Sequence, residues 1–152
     1  MEIVRLQEKD IRTALELVWC VFEEFEAPES TDEGVEAFKK VISYENVIDG
    51  FREEELHFWG SKEKGDWTGV IATLGENHLF LLFVKREYHR QGMANRLFRT
   101  VEERCRSFPG IQRITVNSSR YAVPFYRRLG FTETGIERTV NGIRFTPMEF
   151  RF

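Results

Sequence analysis

With 152 residues, 41% hydrophobic and 14% aromatic content and fourteen Phe, the chain has enough apolar surface for one globular domain with a real core. No apolar run approaches the ~20 residues that cross a bilayer, and the acidic start from Met1 to Asp10 is unlike a signal peptide, so a cytoplasmic protein with no membrane partner is expected. The net charge of −3 conceals a division: residues 1–84 carry 8 Lys/Arg against 19 Asp/Glu, and residues 85–128 carry 11 against 3, which argues against nucleic acid as a partner for the whole domain and for a polyanionic ligand at the second segment.

In chain order, Ile3, Arg5 and Gln7 alternate with Val4 and Leu6, which predicts a first strand. Asp10 N-caps a helix whose Ile11, Ala14, Leu15, Val18, Phe22 and Phe25 form one buried stripe, ended by Pro28. Ser30 or Thr31, followed by Asp32 and Glu33, starts a second helix with Val35, Phe38, Val41 and Ile42 on its inner face. Residues 46–55 read as a loop or a ragged helix end. Leu56–Gly60, Trp67–Leu74 and His78–Val84 then read as three antiparallel strands, the last nearly all apolar and therefore central. Met93, Leu97, Phe98, Val101 and Cys105 make a helix stripe that stops near Pro109-Gly110. Gln112–Asn117 is a strand joined to His78–Val84 by that helix and so parallel to it. Ser119 starts a short helix through Arg128, with Pro124 in its first turn and Gly130 as its stop. Phe131–Val140 and Ile143–Phe150 flank Asn141-Gly142, a strong hairpin signal. Cys20 and Cys105 fall on apolar helix faces without metal-ligand spacing, which predicts reduced core residues and no metal.

The segment Leu79–Leu97 carries the chemistry. An apolar strand runs into a basic, glycine-containing turn that opens an amphipathic helix, an arrangement that aims backbone N–H groups and a helix N-terminus at one spot and suits a pyrophosphate. Gly92 and Ala94 let a bulky anion approach the backbone, and His89, Arg90 and Gln91 add side-chain donors. No Gly-Lys-Ser/Thr follows, so this is not a Walker A loop, and the Rossmann fingerprint lacks its third glycine.

His89-Arg90-Gln91-Gly92-Met93-Ala94 resembles the Gln/Arg-x-x-Gly-x-Gly/Ala signature of the GCN5-related N-acetyltransferase (GNAT) superfamily, with His in place of Gln or Arg at the first position. The segment from Asn117 through Ala122, Phe125, Tyr126, Leu129 and Gly130 to Phe131 is similar to the family's Asn-x-x-x-x-Ala-x-x-Phe-Tyr-x-x-Leu-Gly-Phe. On these motifs, in the family's order, the chain resembles a small bacterial-type member with a single N-acetyltransferase domain over residues 1–152. The resemblance implies the acyl-CoA N-acyltransferase fold, an α/β (α+β mixed-sheet) architecture. Its central sheet is mostly antiparallel with one splayed parallel strand pair, and helices cover both faces. It also implies acetyl-CoA as acyl donor and direct transfer to a primary amine in a ternary complex. The cofactor-binding residues it implies are Leu82, Phe83 and Val84 through their main chain, the cradle residues His89, Arg90, Gln91, Gly92, Met93 and Ala94, and Asn117, Phe125 and Arg128. The Val84 amide would polarise the thioester carbonyl.

Three side chains are the catalytic candidates. Tyr126 takes the family's tyrosine position near the CoA sulfur and is the candidate acid, since a phenol is protonated at neutral pH; packing on the sheet is the alternative. His78 stands fourteen residues before Gly92, where histone-acetylating members carry a glutamate base, and an imidazole suits that role; a strand-end histidine is the alternative. Asn117 would hold a water or the pantetheine amide, or simply terminate its strand. Arg120 and Arg128 are candidates for CoA phosphates, with solvated helix charges as the other reading. In the family fold the acceptor groove lies between the first two helices and the terminal hairpin. Here that helix pair carries Glu23, Glu24, Glu26, Glu29, Asp32, Glu33 and Glu36, which suits a cationic amine or describes a solvated surface. A non-catalytic acyl-CoA-binding or sensor module is the alternative function, and a monomer or homodimer is expected.

Overall fold

In the computed structural model, which describes residues 1–152, side-chain caps open the helices that follow Thr31 and Ser43 but none of the other α-helices. Asp10 stands at the N-cap position of α1 (Ile11–Phe25) but does not cap it as expected, because its carboxylate is turned back to accept from the Gln7 amide at 2.8 Å. The predicted stripe from Ile11 to Phe22 is buried, joined by Leu17 and Val21. Pro28 lies in a 3-10 turn, Ala27–Glu29, that ends the helix. Thr31 caps α2 (Asp32–Val41) by accepting from the Gly34 amide at 3.0 Å. Val41, expected inside, is exposed, because the helix ends there and Ile42 in the following turn takes the buried place.

A third helix, α3 (Tyr44–Arg52), covers most of the stretch read as a loop or a ragged helix end. Asn46, Asp49 and Gly50 are weak helix formers, so local preference hides it. Ser43 caps it through the Asn46 amide, Val47 is buried in the core that α1 shares with the sheet, and Ile48 is buried as well, which supplies what propensity lacks.

The sheet contains β1 (Ile3–Arg5), β2 (Leu56–Glu63), β3 (Asp66–Leu74), β4 (His78–Val84), β5 (Arg113–Ser118), β6 (Thr132–Glu133), β7 (Arg138–Val140) and β8 (Ile143–Arg151). Its eight strands run in the order β1-β2-β3-β4-β5-β8-β6, with β7 paired to the free half of β8. Every pairing is antiparallel except β4 with β5. The strand expected over residues 131–140 is therefore two short ones, broken around Gly135 and the solvent-facing Ile136. Asn141 and Gly142 both adopt positive φ, 52° and 83°, as a two-residue hairpin turn requires.

Two cores lie on opposite faces of this sheet. One packs α1, α3 and part of α2 on Phe58, Val70, Leu81 and Phe83. The other packs α4 (Met93–Arg106) and α5 (Val123–Leu129) on Ile71, Leu79, Ile114 and Met148. In the second, Phe98 meets Phe131 and Phe150 edge-on at 5.4 and 5.3 Å, which is where several of the Phe residues go. Cys105 is buried there, its thiol donating to the Glu76 carbonyl and pushed up to about 11 by burial. Cys20, expected in the core, is exposed, because it falls on the flank of α1 outside the buried stripe.

The contact of α2 with the terminal hairpin is close. A Cβ at Gly34 would lie 2.5 Å from the Gly142 carbonyl oxygen. Gly→Ala inside a helix ordinarily gains ~1 kcal/mol, whereas here the backbone clash should reverse the sign, and Gly34→Ala is expected to lose ~1–3 kcal/mol in urea unfolding.

Candidate functional site

The site begins where two strands part. β4 and β5 pair only at His78–Thr115 and Leu79–Val116. The next residue of β4, Phe80, is an extra one: Thr73 of β3 faces Leu79 and Ala72 faces Leu81. Phe80 and Leu81 consequently pack into the same core, and the bulge bends β4. β5 keeps its full register with β8 from Arg113 to Ser118, so the two strands diverge toward their C-terminal ends.

The register also decides which β4 amides face the gap. Lys85 N–H donates to the Thr68 carbonyl at 2.9 Å, which makes Gly69–Val84 a non-hydrogen-bonded pair. By alternation the N–H and C=O groups of Val84 and Leu82 point away from β3 toward the gap, while those of Phe83 are committed to β3. Of the three main-chain contacts expected, two face the opening, and Phe83 reaches it with its ring. The Val84 carbonyl is taken by His89, whose Nε2–H donates to it at 2.6 Å. The unusual first residue of the cradle motif is therefore turned inward, and its ring lies tilted against Phe25 of α1 with the centroids 4.8 Å apart.

The cradle itself is a run of free donors. Arg90 and Gly92 take left-handed conformations, with φ of 62° and 76°. The first helical bond of α4 runs from Arg96 N–H to the Gly92 carbonyl, so the amides from Arg90 to Asn95 find no backbone acceptor in the turn or the helix. A Cβ at Gly92 would meet no protein atom within 4 Å and would project into open space.

Two cavities meet at the gap. The larger, about 970 Å³, lies against the cradle and is lined by Leu82, Phe83, Val84, His89, Arg90, Gly92, Met93, Ala94, Phe125, Tyr126 and Arg128 among the expected residues, together with Arg86, Asn95 and Tyr121. The smaller, about 120 Å³, lies on the α2–β8 side and is walled by Phe22, Phe38, Phe80, Phe83, Ile143 and Phe145. Asn117 lines only the smaller one. Five residues line both: Glu26, Leu82, Phe83, Ala122 and Tyr126.

Several candidates lie elsewhere. His78 is at the closed end of the gap and lines neither cavity; its Nδ1 is 2.8 Å from the Thr115 hydroxyl, and burial lowers its pKa. Gln91 is exposed and donates to the Glu87 carbonyl at 2.9 Å. Arg120 is held bidentate by Glu137 at 2.6 and 2.7 Å. On α4, Arg99 and Arg106 bind Glu102, and Arg104 binds Glu76, so these basic charges are internally paired.

Of the two titratable residues shared by both cavities, Tyr126 was foreseen and Glu26 was not singled out from its acidic neighbours. Tyr126 is 5% exposed; its hydroxyl makes no hydrogen bond within the protein, and burial, then the nearby Glu26 carboxylate, hold the phenol well above its ordinary pKa. Glu26 caps the C-terminus of α1 and takes part in none of the ion pairs. Burial pushes its carboxyl up to about 7, opposed by Ser119 and reinforced by Glu29. No spacing signal marks this residue, since its position depends on where the end of α1 falls over the gap.

A family model described as an acetyltransferase (GNAT) domain matches residues 26–152. Among solved structures, a GCN5-related N-acetyltransferase from Rhodopseudomonas palustris superposes with a TM-score of 0.83 at 17% identity, covering 99% of this chain and 95% of its own. The PaiA N-acetyltransferase from Thermoplasma acidophilum, solved in complex with coenzyme A, gives 0.78 at 20% identity, covering 99% and 98%. An acetyltransferase of the GNAT family from Staphylococcus aureus Mu50 gives 0.75 at 16%, covering 99% and 98%.

The raised Glu26 carboxyl has a stability signature. Between the ordinary value of 4.5 and about 7 the folded state binds the extra proton, so this residue destabilises the fold progressively as pH rises through that window. Glu26→Gln should accordingly match the parent near pH 4 and exceed it above pH 7, by up to ~3 kcal/mol, in urea titrations at the two pH values.

Proposed function

The chain belongs to the GNAT acetyltransferase family, and from that membership we propose that residues 1–152 act as one acyl-CoA-dependent N-acetyltransferase domain, passing an acetyl group from acetyl-CoA to a primary amine by direct attack in a ternary complex. The observation that carries this reading is the run of unpartnered amides from Arg90 to Asn95 beside a cavity of about 970 Å³. Those amides and the N-terminus of α4 suit a pyrophosphate, and Arg86, Arg90 and Arg128 add positive charge on the same wall. The PaiA relative's coenzyme A complex supports the same assignment.

The acyl thioester would supply an electrophilic carbonyl carbon, and the other steps fall to the protein. Leu82 and Val84, with backbone groups turned into the gap, would pair with an extended amide-bearing arm as a missing strand would, and the Val84 N–H would polarise the carbonyl oxygen. Tyr126, at the junction of the two cavities, would donate a proton to the leaving thiolate. Its raised pKa keeps it protonated across the working range. Asn117, on the smaller cavity, would orient the acceptor or a water. The reading does not rest on His78, whose ring is engaged by Thr115.

Gly92→Val places a β-branched side chain at φ 76° and in the space the ligand needs, so acetyl-CoA affinity by calorimetric titration should fall at least ~10-fold; undiminished affinity would remove the cofactor assignment. Tyr126→Phe keeps the ring and removes one hydroxyl. With an accepted amine it should lower kcat ~10²–10⁴-fold at nearly unchanged acetyl-CoA affinity, and wild-type turnover would return Tyr126 to a packing role.

A further inference from the structure

Resting on the acyltransferase reading above, we propose that the acceptor is a compact, apolar primary amine seated in the smaller cavity with its nitrogen against Glu26, and that Glu26 is the catalytic base that takes its proton. The geometry singles this carboxylate out. Glu26 lines the large cavity, the smaller one and a third, small pocket that it shares with Ser30, Ser119 and Arg144 and with the solvent-exposed Glu29, Arg120 and Tyr121. The other shared titratable group is Tyr126, so a base and an acid face one another across the place where the two cavities join. The backbone holds the carboxylate there: the Glu26 N–H donates to the Phe22 carbonyl at 2.9 Å, and the Ser30 hydroxyl donates to the Glu26 carbonyl at 2.9 Å.

The remaining members of the acidic helix pair do not share this place. Glu24 is paired with Arg86 at 3.3 Å, and Glu33 lies under the hairpin turn, where a Cβ on Gly142 would strike its side chain. Glu29 reaches only the third pocket, and Glu23, Asp32 and Glu36 line none of the three. A polyamine would need several carboxylates along its length; this cleft offers one at its junction and an aromatic box behind it. An amine with a ring-sized apolar body satisfies both features.

The proton and bond accounting closes with these two residues. The bound ammonium gives one proton to the Glu26 carboxylate, leaving a neutral amine. Its lone pair forms the C–N bond to the thioester carbon, and the C–S bond breaks with its electron pair on sulfur. Tyr126 protonates the thiolate and recovers a proton from the nitrogen, and Glu26 releases its own to solvent through the third pocket. The products are an amide, the free thiol and one proton. The steps are coupled, because burial and then the Glu26 charge hold the Tyr126 phenol up, and protonation of Glu26 removes the second of these just before that phenol must donate.

The groups facing Glu26 are Glu29 from the turn after α1, Tyr126 from α5, Arg120 and Tyr121 from the segment after β5, and Arg144 from β8, whose guanidinium donates to the Glu29 carbonyl. Across the large cavity stand Arg86, Tyr88, His89, Arg90 and Arg128. His89 is the histidine on the large cavity, so His89→Gln is included as a control.

The test measures thiol release with acetyl-CoA and 2-phenylethylamine or spermidine, from pH 5.5 to 9, for wild type, Glu26→Gln, Glu26→Asp and His89→Gln, with acetyl-CoA affinity titrated separately. Wild type should prefer 2-phenylethylamine at least ~10-fold in kcat/KM and show an ascending limb near 7, well below the amine's own ionisation at ~10. Glu26→Gln should lose ~10²-fold or more in kcat and lose the limb at unchanged acetyl-CoA affinity, Glu26→Asp should recover part of both, and His89→Gln should keep the limb whatever happens to affinity. A Glu26→Gln enzyme within ~3-fold of wild type with the limb intact overturns the base assignment. A wild type that binds acetyl-CoA but acetylates spermidine alone, or neither amine, overturns the acceptor assignment. A wild type that does not bind acetyl-CoA overturns the acyltransferase reading itself.

Discussion

One extra residue in β4 organises the rest of the molecule. Phe80 interrupts the register with β3, the strand bends, and the parallel pairing with β5 ends after Leu79. The N–H and C=O of Leu82 and the N–H of Val84, which would have closed the sheet, are left open, while the Val84 carbonyl is taken by His89. An unmade backbone hydrogen bond in a sealed interior costs ~1–3 kcal/mol, so such a gap persists in a core only when something polar can reach it. Here cavities open on both sides of the parted strands, and β5 stays straight because β8 holds its other edge throughout.

The cradle is tied to the same strand end. His89 donates to the Val84 carbonyl, so the loop that presents the free amides and the strand that presents the Val84 N–H are fixed relative to each other by one hydrogen bond at 2.6 Å. This gives a physical role to the residue by which the cradle departs from its family pattern: the imidazole works as an inward strut, and the donors left for an anion are backbone amides and arginines. Phe25 lies tilted against His89 at 4.8 Å and stacks on Tyr121 at 5.4 Å, which brings the end of α1 over the gap and carries Glu26, the next residue, to the junction.

The division of charge along the chain takes on a different meaning once the pairs are known. Most of the basic segment neutralises carboxylates within the fold, through Glu76, Glu102, Glu133, Glu137 and Glu149. Arg86, Arg90 and Arg128 are the arginines that line the large cavity. On the acidic side, a run of seven carboxylates contributes one group to the junction, held in surroundings where its charged form is poorly solvated. The chemistry available at the site comes from the desolvation of Glu26 and Tyr126 together more than from the sum of charges near it.

The sequence by itself determined the order of the elements apart from α3 and the break between β6 and β7, the central place of His78–Val84, the parallel strand after it, the Asn141-Gly142 hairpin and the position of the cradle. These follow from signals local in the chain: period-2 and period-3.6 apolar spacing, caps, and glycines where φ is positive. It also marked Tyr126, because a motif holds that residue at a fixed distance from the Gly130 stop. The tertiary structure alone decided α3, whose helix depends on burial rather than propensity, and the bulge at Phe80, which leaves no trace in an unbroken apolar run. It decided, too, that His78 lies at the closed end of the gap, and that Glu26 rather than any of its six acidic neighbours stands beside Tyr126. Those outcomes depend on where separate segments cross in space, since residues 26 and 126 are brought together by tertiary packing and not by any spacing along the chain.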